Sequence, residues 1–97
     1  MYEVEKTYTF SDWFHALTDI RAKARIEARI ERAGKGNFGN WSAEGGEVRA
    51  MVIDYGPGYR LYYTVRRNKI ILLLCGGDKS TQNADIKEAH KIAKEIE

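Results

Sequence analysis

The sequence predicts an α+β fold in which a small, mainly antiparallel sheet carries helices. Three observations predict it: an alternating aromatic segment at the N-terminus, two stretches with apolar residues at helical spacing, and three successive strand-like segments separated by turns. An amphipathic stretch then ends the chain. The predicted order is β-α-α-β-β-β-α in a single domain over residues 1–97, with two helices packed on one face of the sheet.

The N-terminal segment predicts a half-buried strand followed by a short helix. From Tyr2 to Phe10, aromatic and β-branched residues alternate with polar ones, which is the period of a strand. Ser11 and Asp12 are suitable N-cap residues for a helix that carries Trp13, Leu17 and Ile20.

A second helix and a long loop follow. The helix has an apolar stripe, and Gly34 stands where the C′ residue is expected; the stripe comprises Ala22, Ile26, Ile30 and Ala33. The stretch from Gly34 to Gly46 is rich in glycine and lacks periodicity, which predicts a loop. Phe38 and Trp41 are expected to anchor it on the core.

The second half predicts three strands and a last helix. The predicted strands are Glu47–Tyr55, Tyr59–Arg66 and Lys69–Cys75, with turns at Gly56-Pro57-Gly58 and Arg67-Asn68. The third is a continuous apolar run, as expected of a strand covered on both faces. The last helix is predicted over Asn83–Glu97, with Asn83 or Asp85 as its cap.

Bulk properties exclude several classes of protein. No apolar run approaches membrane length and no signal-peptide core is present, while a single Cys fits a reducing cytoplasm. That residue, Cys75, is expected to be a small buried hydrophobe. Net charge is only +2, but Arg21 to Lys35 holds six cations and two anions. Such a helix attracts a phosphate backbone, although a solvated helix face would have the same composition.

The motifs favour chemistry by cations and tyrosines. His15 and His90 have no partners at metal-ligand spacing, so both are expected at the surface and no metal site is predicted. Gly76-Gly77-Asp78-Lys79-Ser80-Thr81 departs from the P-loop pattern but offers backbone N–H groups and one Lys to a phosphate. This set suits cleavage of RNA, where the substrate's own 2′-hydroxyl attacks and the protein stabilises the charged phosphorane.

Several motifs in order resemble the RelE/HigB superfamily of toxins, specifically its addiction module killer protein branch. The resemblance covers nearly the whole chain; it is carried by Trp13, the pattern at 22–30, Gly36-Asn37-Phe38-Gly39, Tyr55 to Arg60, and Gly76 to Gln82 with Asp85-Ile86. It implies a RelE-like fold and the toxin of a type II toxin–antitoxin module, a cytoplasmic, ribosome-dependent mRNA endoribonuclease (mRNA interferase) that inhibits translation.

The resemblance also implies partners and site residues. The partners are mRNA, the ribosome and an antitoxin, often a helix-turn-helix protein, expected to cover the basic second helix and the C-terminal helix; no cofactor and no membrane are implied. Arg60 matches the Arg that contacts the scissile phosphate, and Lys79 matches a basic position after the last strand. Expected RNA contacts are Arg49, Tyr59, Tyr62, Asp78, Gln82, Arg25 and Arg29.

The chain departs from the pattern of this branch. Asn40 and Ser42 replace an Asp and a Lys, and Ala50 and Val52 replace a Glu and an Arg on one strand face. Arg49 is one residue off and is expected to point the other way. Three hypotheses therefore stay open: an mRNA-cleaving toxin, either fully active or attenuated; a ParE-like inhibitor of DNA gyrase; and a non-catalytic module that binds an antitoxin.

Overall fold

A five-stranded sheet forms the centre of the molecule, with helices on both of its faces. The computed structural model describes residues 1–96 and confirms the predicted α+β class. The strands are β1 (Glu3–Lys6), β2 (Trp41–Ala43), β3 (Arg49–Ile53), β4 (Tyr59–Arg66) and β5 (Ile70–Asp78); the helices are α1 (Tyr8–Ala16), α2 (Ile20–Gly34) and α3 (Gln82–Glu95). The strand order is β1-β5-β4-β3-β2, where β1 lies parallel to β5 and every other pair is antiparallel.

Each face of the sheet has its own apolar core. On the α1/α2 face the core includes Phe10, Ile26, Met51, Leu61, Tyr63 and Leu73. On the α3 face it includes Val48, Ala50, Tyr62, Leu74, Cys75 and Ala89. Because side chains alternate along a strand, β3, β4 and β5 contribute to both cores. The prediction that β5 is covered on both faces is confirmed.

A β-bulge in β5 decides which residues face α3. The register pairs Tyr62 with Cys75 and Tyr63 with Leu73, so Leu74 is an extra residue in β5. Leu74 and Cys75 consequently lie in the same core. Beyond the bulge, Gly76 lies under Trp13 of α1 and Gly77 lies under Asp85 of α3.

The start of α1 was predicted wrongly. β1 ends at Lys6 and the helix begins at Tyr8, so the predicted strand to Phe10 and the caps at Ser11 or Asp12 are corrected. Thr7 is the N-cap: its Oγ1 accepts a bond from Phe10 N at 3.0 Å and donates to Leu74 O at 2.6 Å. A cap that also ties the chain to β5 outweighs the alternating pattern of Tyr8 to Phe10.

The region after α2 also differs from its prediction. Gly34 is the last residue of α2 rather than its C′ residue, and Gly36 takes the positive φ of 97°. The predicted loop contains β2, which is only three residues long. Phe38 does anchor this region by stacking on Tyr63, with ring centroids 5.5 Å apart. Trp41 is 44% exposed, so its predicted role as a core anchor is wrong.

The C-terminal elements follow the prediction with shifted bounds. β4 has the predicted bounds, and Arg67 and Asn68 both take positive φ in the predicted turn. β5 continues through Asp78, and a 3₁₀ turn over Lys79–Thr81 leads into α3. Thr81 precedes α3, so neither Asn83 nor Asp85 is its N-cap. The predicted helix end at residue 97 lies outside the described residues.

Candidate active site

Arg60 lies on the α3 face of the sheet, between two strands. It pairs with Val52 on β3 and with Gly77 on β5. The side chain is half-buried, and its Nε is buried with no hydrogen-bond partner in residues 1–96. Within the described chain it forms no ion pair. Arg60 is therefore a cation with unused donor capacity, not half of a structural salt bridge.

Tyr62 lies two residues further along β4, on the same face as Arg60. It is fully buried and its hydroxyl has no partner among the described residues. Burial, reinforced by the negative charge of Asp85, raises the pKa of Tyr62 to about 12, although Arg60 opposes the shift. The phenol is thus protonated at neutral pH and can only donate or accept a hydrogen bond, and a buried ring cannot stack on an RNA base.

Asp85 projects from the first turns of α3 onto the sheet beside this pair. A Cβ atom built on Gly77 would overlap the Asp85 carboxylate, so glycine leaves the space that the carboxylate fills. Thr81 Oγ1 donates to Asp85 Oδ2 at 2.5 Å. Burial raises the pKa of Asp85, and the neighbouring Asp78 and Glu88 add to the shift while the Thr81 bond opposes it. Arg60, Tyr62 and Asp85 form what we call the Arg60 cluster.

Three further predicted residues lie at the same end of the sheet. Asp78 pairs with Tyr59 and caps the 3₁₀ turn, accepting bonds from Ser80 N at 2.9 Å and Ser80 Oγ at 2.5 Å. These bonds hold the pKa of Asp78 below its usual value. Lys79 is exposed and packs beside the turn at Gly58, and Gln82 begins α3.

Four predicted RNA contacts lie away from the Arg60 cluster. Tyr59 and Arg49 belong to the opposite sheet face, where Tyr59 is 7% exposed in the core and Arg49 stacks on Trp41 at 5.0 Å. Arg25 stacks on Tyr55 at 4.5 Å. Arg29 donates to the carbonyl oxygens of Val52, Phe38 and Asn40 at 2.6–3.1 Å, which gives it a structural role.

The two positions that depart from the family pattern have different surroundings. Ala50 is fully buried in the core under α3, whereas Val52 is half-buried and lies directly beside Arg60 in the strand register. Position 52 therefore borders Arg60 at the rim of the Arg60 cluster, whereas position 50 pairs with Tyr62 in its buried part. The sequence predicts that both residues lie on one strand face, but it does not show which of them is buried in the core and which lies at the edge of the site.

Glu44 is a further polar residue near Tyr62 that the sequence does not identify. Glu44 accepts a hydrogen bond from Ser42 Oγ at 2.5 Å, and its charge acts on Tyr62. His90 Nε2 lies 2.8 Å from Glu44 O. These residues come from the loop near β2 and from α3, 46 residues apart, and no local motif connects them.

The remaining candidates are inert or absent. Cys75 is buried as predicted, and burial raises the pKa of its thiol to about 12. Residues 1–96 contain no group of three or more His, Cys, Asp or Glu side chains that could hold a metal ion. None of the helices in that range is long and apolar enough to cross a bilayer.

Comparison with known proteins finds a relative of unknown role. The chain is 44% identical over 94 residues to an uncharacterized protein of Haemophilus influenzae strain Rd, and the match covers 97% of this chain and 95% of the relative. No protein-family model matches the chain. No solved structure matches it either.

Proposed function

We propose that this chain, which belongs to the same family as the uncharacterized Haemophilus influenzae protein, is a toxin of the RelE/HigB type that cleaves messenger RNA. The observation that carries the proposal is the state of Arg60. A half-buried guanidinium with an unpartnered Nε stands on a strand beside an unpartnered tyrosine hydroxyl. Burying such donors is costly unless an acceptor arrives, and a phosphate supplies one.

The chemistry follows from the charges of the cluster. When the 2′-hydroxyl attacks, negative charge grows on the phosphate oxygens, and the permanently charged Arg60 stabilises it best where water is partly excluded. Lys79 at the same end of the sheet would hold a neighbouring phosphate. Asp85, whose pKa is raised, is the group suited to accept the proton of the 2′-hydroxyl, while Tyr62 can donate a hydrogen bond. The bond from phosphorus to the 5′-oxygen then breaks, the leaving 5′-oxygen takes a proton from solvent, and the other fragment keeps a 2′,3′-cyclic phosphate.

Val52 gives the proposal a sensitive test. An Arg at this position would place a second cation beside Arg60 in the strand register. Losing one such charge costs a factor of about 10² to 10³ in rate. We therefore expect the chain as it stands to cleave slowly and Val52→Arg to cleave faster.

The experiment is inducible expression in bacteria, with growth curves and mapping of new mRNA 5′ ends. Four forms are compared: wild type, Arg60→Ala, Val52→Arg and the control Lys69→Ala, an exposed cation of the β4–β5 turn. We expect new mRNA ends with wild type and Lys69→Ala, more with Val52→Arg, and none with Arg60→Ala.

Two outcomes would overturn the proposal. Growth arrest with intact mRNA and gyrase-dependent DNA breaks would favour a gyrase inhibitor. Absence of cleavage from both wild type and Val52→Arg would favour a non-catalytic binding module, which the apolar residues at positions 50 and 52 would then explain.

A further inference from the structure

Glu44 is a half-buried carboxylate that has no cation partner. It accepts a hydrogen bond from Ser42 Oγ at 2.5 Å, and neither of the ion pairs within residues 1–96 includes it. Each oxygen of an ionised carboxylate can accept about two hydrogen bonds, so one bond leaves most of its capacity unused. Glu44 is therefore an acceptor that is free to bind a ligand.

The fold holds this residue in place from two sides. Glu44 N donates to Val48 O at 2.9 Å, which continues the pairing of β2 with β3. His90 Nε2 of α3 lies 2.8 Å from Glu44 O, so the helix also holds the residue. An acceptor that is already fixed loses less conformational freedom when a ligand binds.

Glu44 lies on the same sheet face as the Arg60 cluster. Ser42 pairs with Ala50, which pairs with Tyr62, so Ser42 and Tyr62 lie on one row of the sheet, two strands or about 10 Å apart. The charges of Glu44 and Arg60 both act on the hydroxyl of Tyr62. This separation is similar to that between the phosphate and the base of one nucleotide. A phosphate held by Arg60 therefore has its base within reach of Glu44.

The unpaired charge of Glu44 depends on the residue at position 42. The toxin branch that the sequence resembles has Lys at this position, and residues 42 and 44 project to the same side, so a Lys would lie next to Glu44 and pair with it. The Ser42 hydroxyl orients the carboxylate instead and adds no charge. The free carboxylate thus results from a departure of this chain from that pattern.

We propose that Glu44 and Ser42 form a subsite for the Watson–Crick edge of a guanine base whose phosphate lies at Arg60; we call it the Glu44 subsite. The inference rests on the proposed function, because it names a base that the same site selects. A carboxylate can only accept hydrogen bonds, so it selects a base edge made of N–H donors. Guanine presents two such donors side by side, N1–H and the 2-amino group, which match the two carboxylate oxygens.

The other bases place an acceptor against Glu44. Adenine and cytosine each have one amino group next to a ring nitrogen that accepts, and uracil has one N–H between two carbonyl oxygens. Two acceptors that face each other repel and leave the carboxylate partly unpaired. Charge also orients the nucleotide, since Arg60 and Lys79 attract its phosphates whereas Glu44 repels them. The base rather than the backbone therefore meets Glu44.

The test measures binding by fluorescence anisotropy to labelled heptanucleotides of 2′-O-methyl RNA, in which the attacking hydroxyl is blocked so that no probe is cleaved. The probes are oligouridines with guanosine, inosine or adenosine at the centre; inosine is guanosine without the 2-amino group. Wild type is compared with Glu44→Gln and with the control Glu27→Gln, which changes an exposed carboxylate of α2 on the other sheet face. Circular dichroism checks that both variants fold.

Wild type should bind the guanosine probe about tenfold more tightly than the adenosine probe, with inosine between them, because a bidentate contact to a base edge discriminates by about that factor or more. Glu44→Gln should bind adenosine more tightly than guanosine, because an amide offers one donor and one acceptor to adenine. Glu27→Gln should keep the wild-type order. Equal binding of guanosine and adenosine by wild type, no binding of any probe, or an unchanged order in Glu44→Gln would overturn the inference.

Mapping of mRNA 5′ ends in cells separates this inference from the proposed nuclease. Selective binding of the guanosine probe without new mRNA ends would support the Glu44 subsite and argue against cleavage. New ends that depend on Arg60 but show no excess of guanine beside them would support cleavage and overturn the subsite.

Discussion

Tyr62 and Tyr63 are neighbours on β4 that project into opposite cores, and neither hydroxyl has a hydrogen-bond partner among the described residues. Burying a hydroxyl without a partner costs about 1–3 kcal/mol. Tyr63 stacks on Phe38, whereas Tyr62 lies beside Arg60 and Asp85. The same chemical group therefore belongs to an aromatic stack on one face and to the Arg60 cluster on the other.

Replacing each tyrosine by phenylalanine separates the two roles. Both Tyr62→Phe and Tyr63→Phe should leave the free energy of unfolding unchanged or raise it by up to about 1 kcal/mol, because each removes an unpaired buried hydroxyl. Only Tyr62→Phe should slow mRNA cleavage. Urea unfolding and 5′-end mapping provide the two measurements, and equal cleavage by both variants would remove Tyr62 from the site.

Asp85 should make the folded protein less stable as it ionises. Its pKa is raised, so the folded chain holds the proton more tightly than the unfolded chain, and stability falls as pH rises from the usual value of 3.8 through the raised value. Asp85→Asn should lack this decline. Asp78 is the opposite case, because its pKa is lowered in the folded chain. Its ionised carboxylate stabilises the fold at pH values above the usual pKa of 3.8, and this stability is lost as pH falls through the lowered pKa, so Asp78→Asn should lack that loss.

Urea unfolding at a series of pH values from about 3 to 7 tests both signs. As pH rises, the free energy of unfolding of wild type should fall relative to that of Asp85→Asn. An identical pH dependence in the two proteins would show that Asp85 is not buried as described.

Individual residues differ in how far the sequence could place them. Arg60 and Lys79 are singled out by the family resemblance; the turn before Arg60 lies where the local pattern predicts it, and β5 runs on to Asp78, directly before Lys79. For Asp85 the sequence predicts only a possible helix cap within a motif. Its position over Gly77 depends on the bulge in β5, and a bulge is set by packing between distant segments rather than by local pattern.

At the scale of elements, the end of β5 depends on two glycines that make room for helices. A Cβ atom at Gly76 would overlap the Trp13 ring, and one at Gly77 would overlap the Asp85 carboxylate. Both residues belong to the strand rather than to a loop. The Gly-Gly pair therefore brings α1 and α3 close to the sheet on opposite faces.

Gly77→Ala should destabilise the protein mainly through Asp85, because the next nearest group, Thr81 Oγ1 at 3.0 Å, is a hydroxyl that can rotate away. We expect a loss of about 1–3 kcal/mol in wild type, as for other overpacked sites, but less than about 0.5 kcal/mol in an Asp85→Ala background. A double-mutant cycle by urea unfolding measures the coupling. Additive effects of the two substitutions would contradict the described contact.

Arg29 joins α2 to β3 and to the loop before β2 through three backbone carbonyls. Arg29→Ala should lower the free energy of unfolding by about 2–3 kcal/mol, because three hydrogen bonds from a charged donor are lost and two of them are partly buried. Arg32→Ala, on the same flank but exposed, should change it by less than about 0.5 kcal/mol. Similar losses in the two variants would argue against a structural role for Arg29.

The errors in element bounds share one physical origin. The start of α1 depends on the bond from Thr7 to β5, and β2 depends on its pairing with β3. A pattern read over a short stretch of sequence contains neither of these contacts. β4 was predicted with correct bounds because turns at both ends carry residues that need positive φ. Local signals thus fixed the centre of the sheet, and long-range pairing fixed its edges.

For the whole molecule, β1 protects the sheet from exposing its most apolar strand. Without β1, the long edge of β5 would be open, and an open apolar edge pairs readily with other chains. Deleting residues 1–6 should therefore cause aggregation, measured by light scattering, while Glu3→Ser/Glu5→Ser should stay dispersed. A dispersed deletion variant would show that β5 needs no cover.

The parallel pairing of β1 with β5 joins the earliest and the latest strands to be synthesised. Thr7 reaches Leu74 across 67 residues, so β1 leaves the ribosome long before its partner exists. Asp85, which completes the Arg60 cluster, and Thr81, which donates to it, are translated later still. A nascent chain that already contains Arg60 therefore lacks the groups around it, and the Arg60 cluster can form only after the first turn of α3 has been translated.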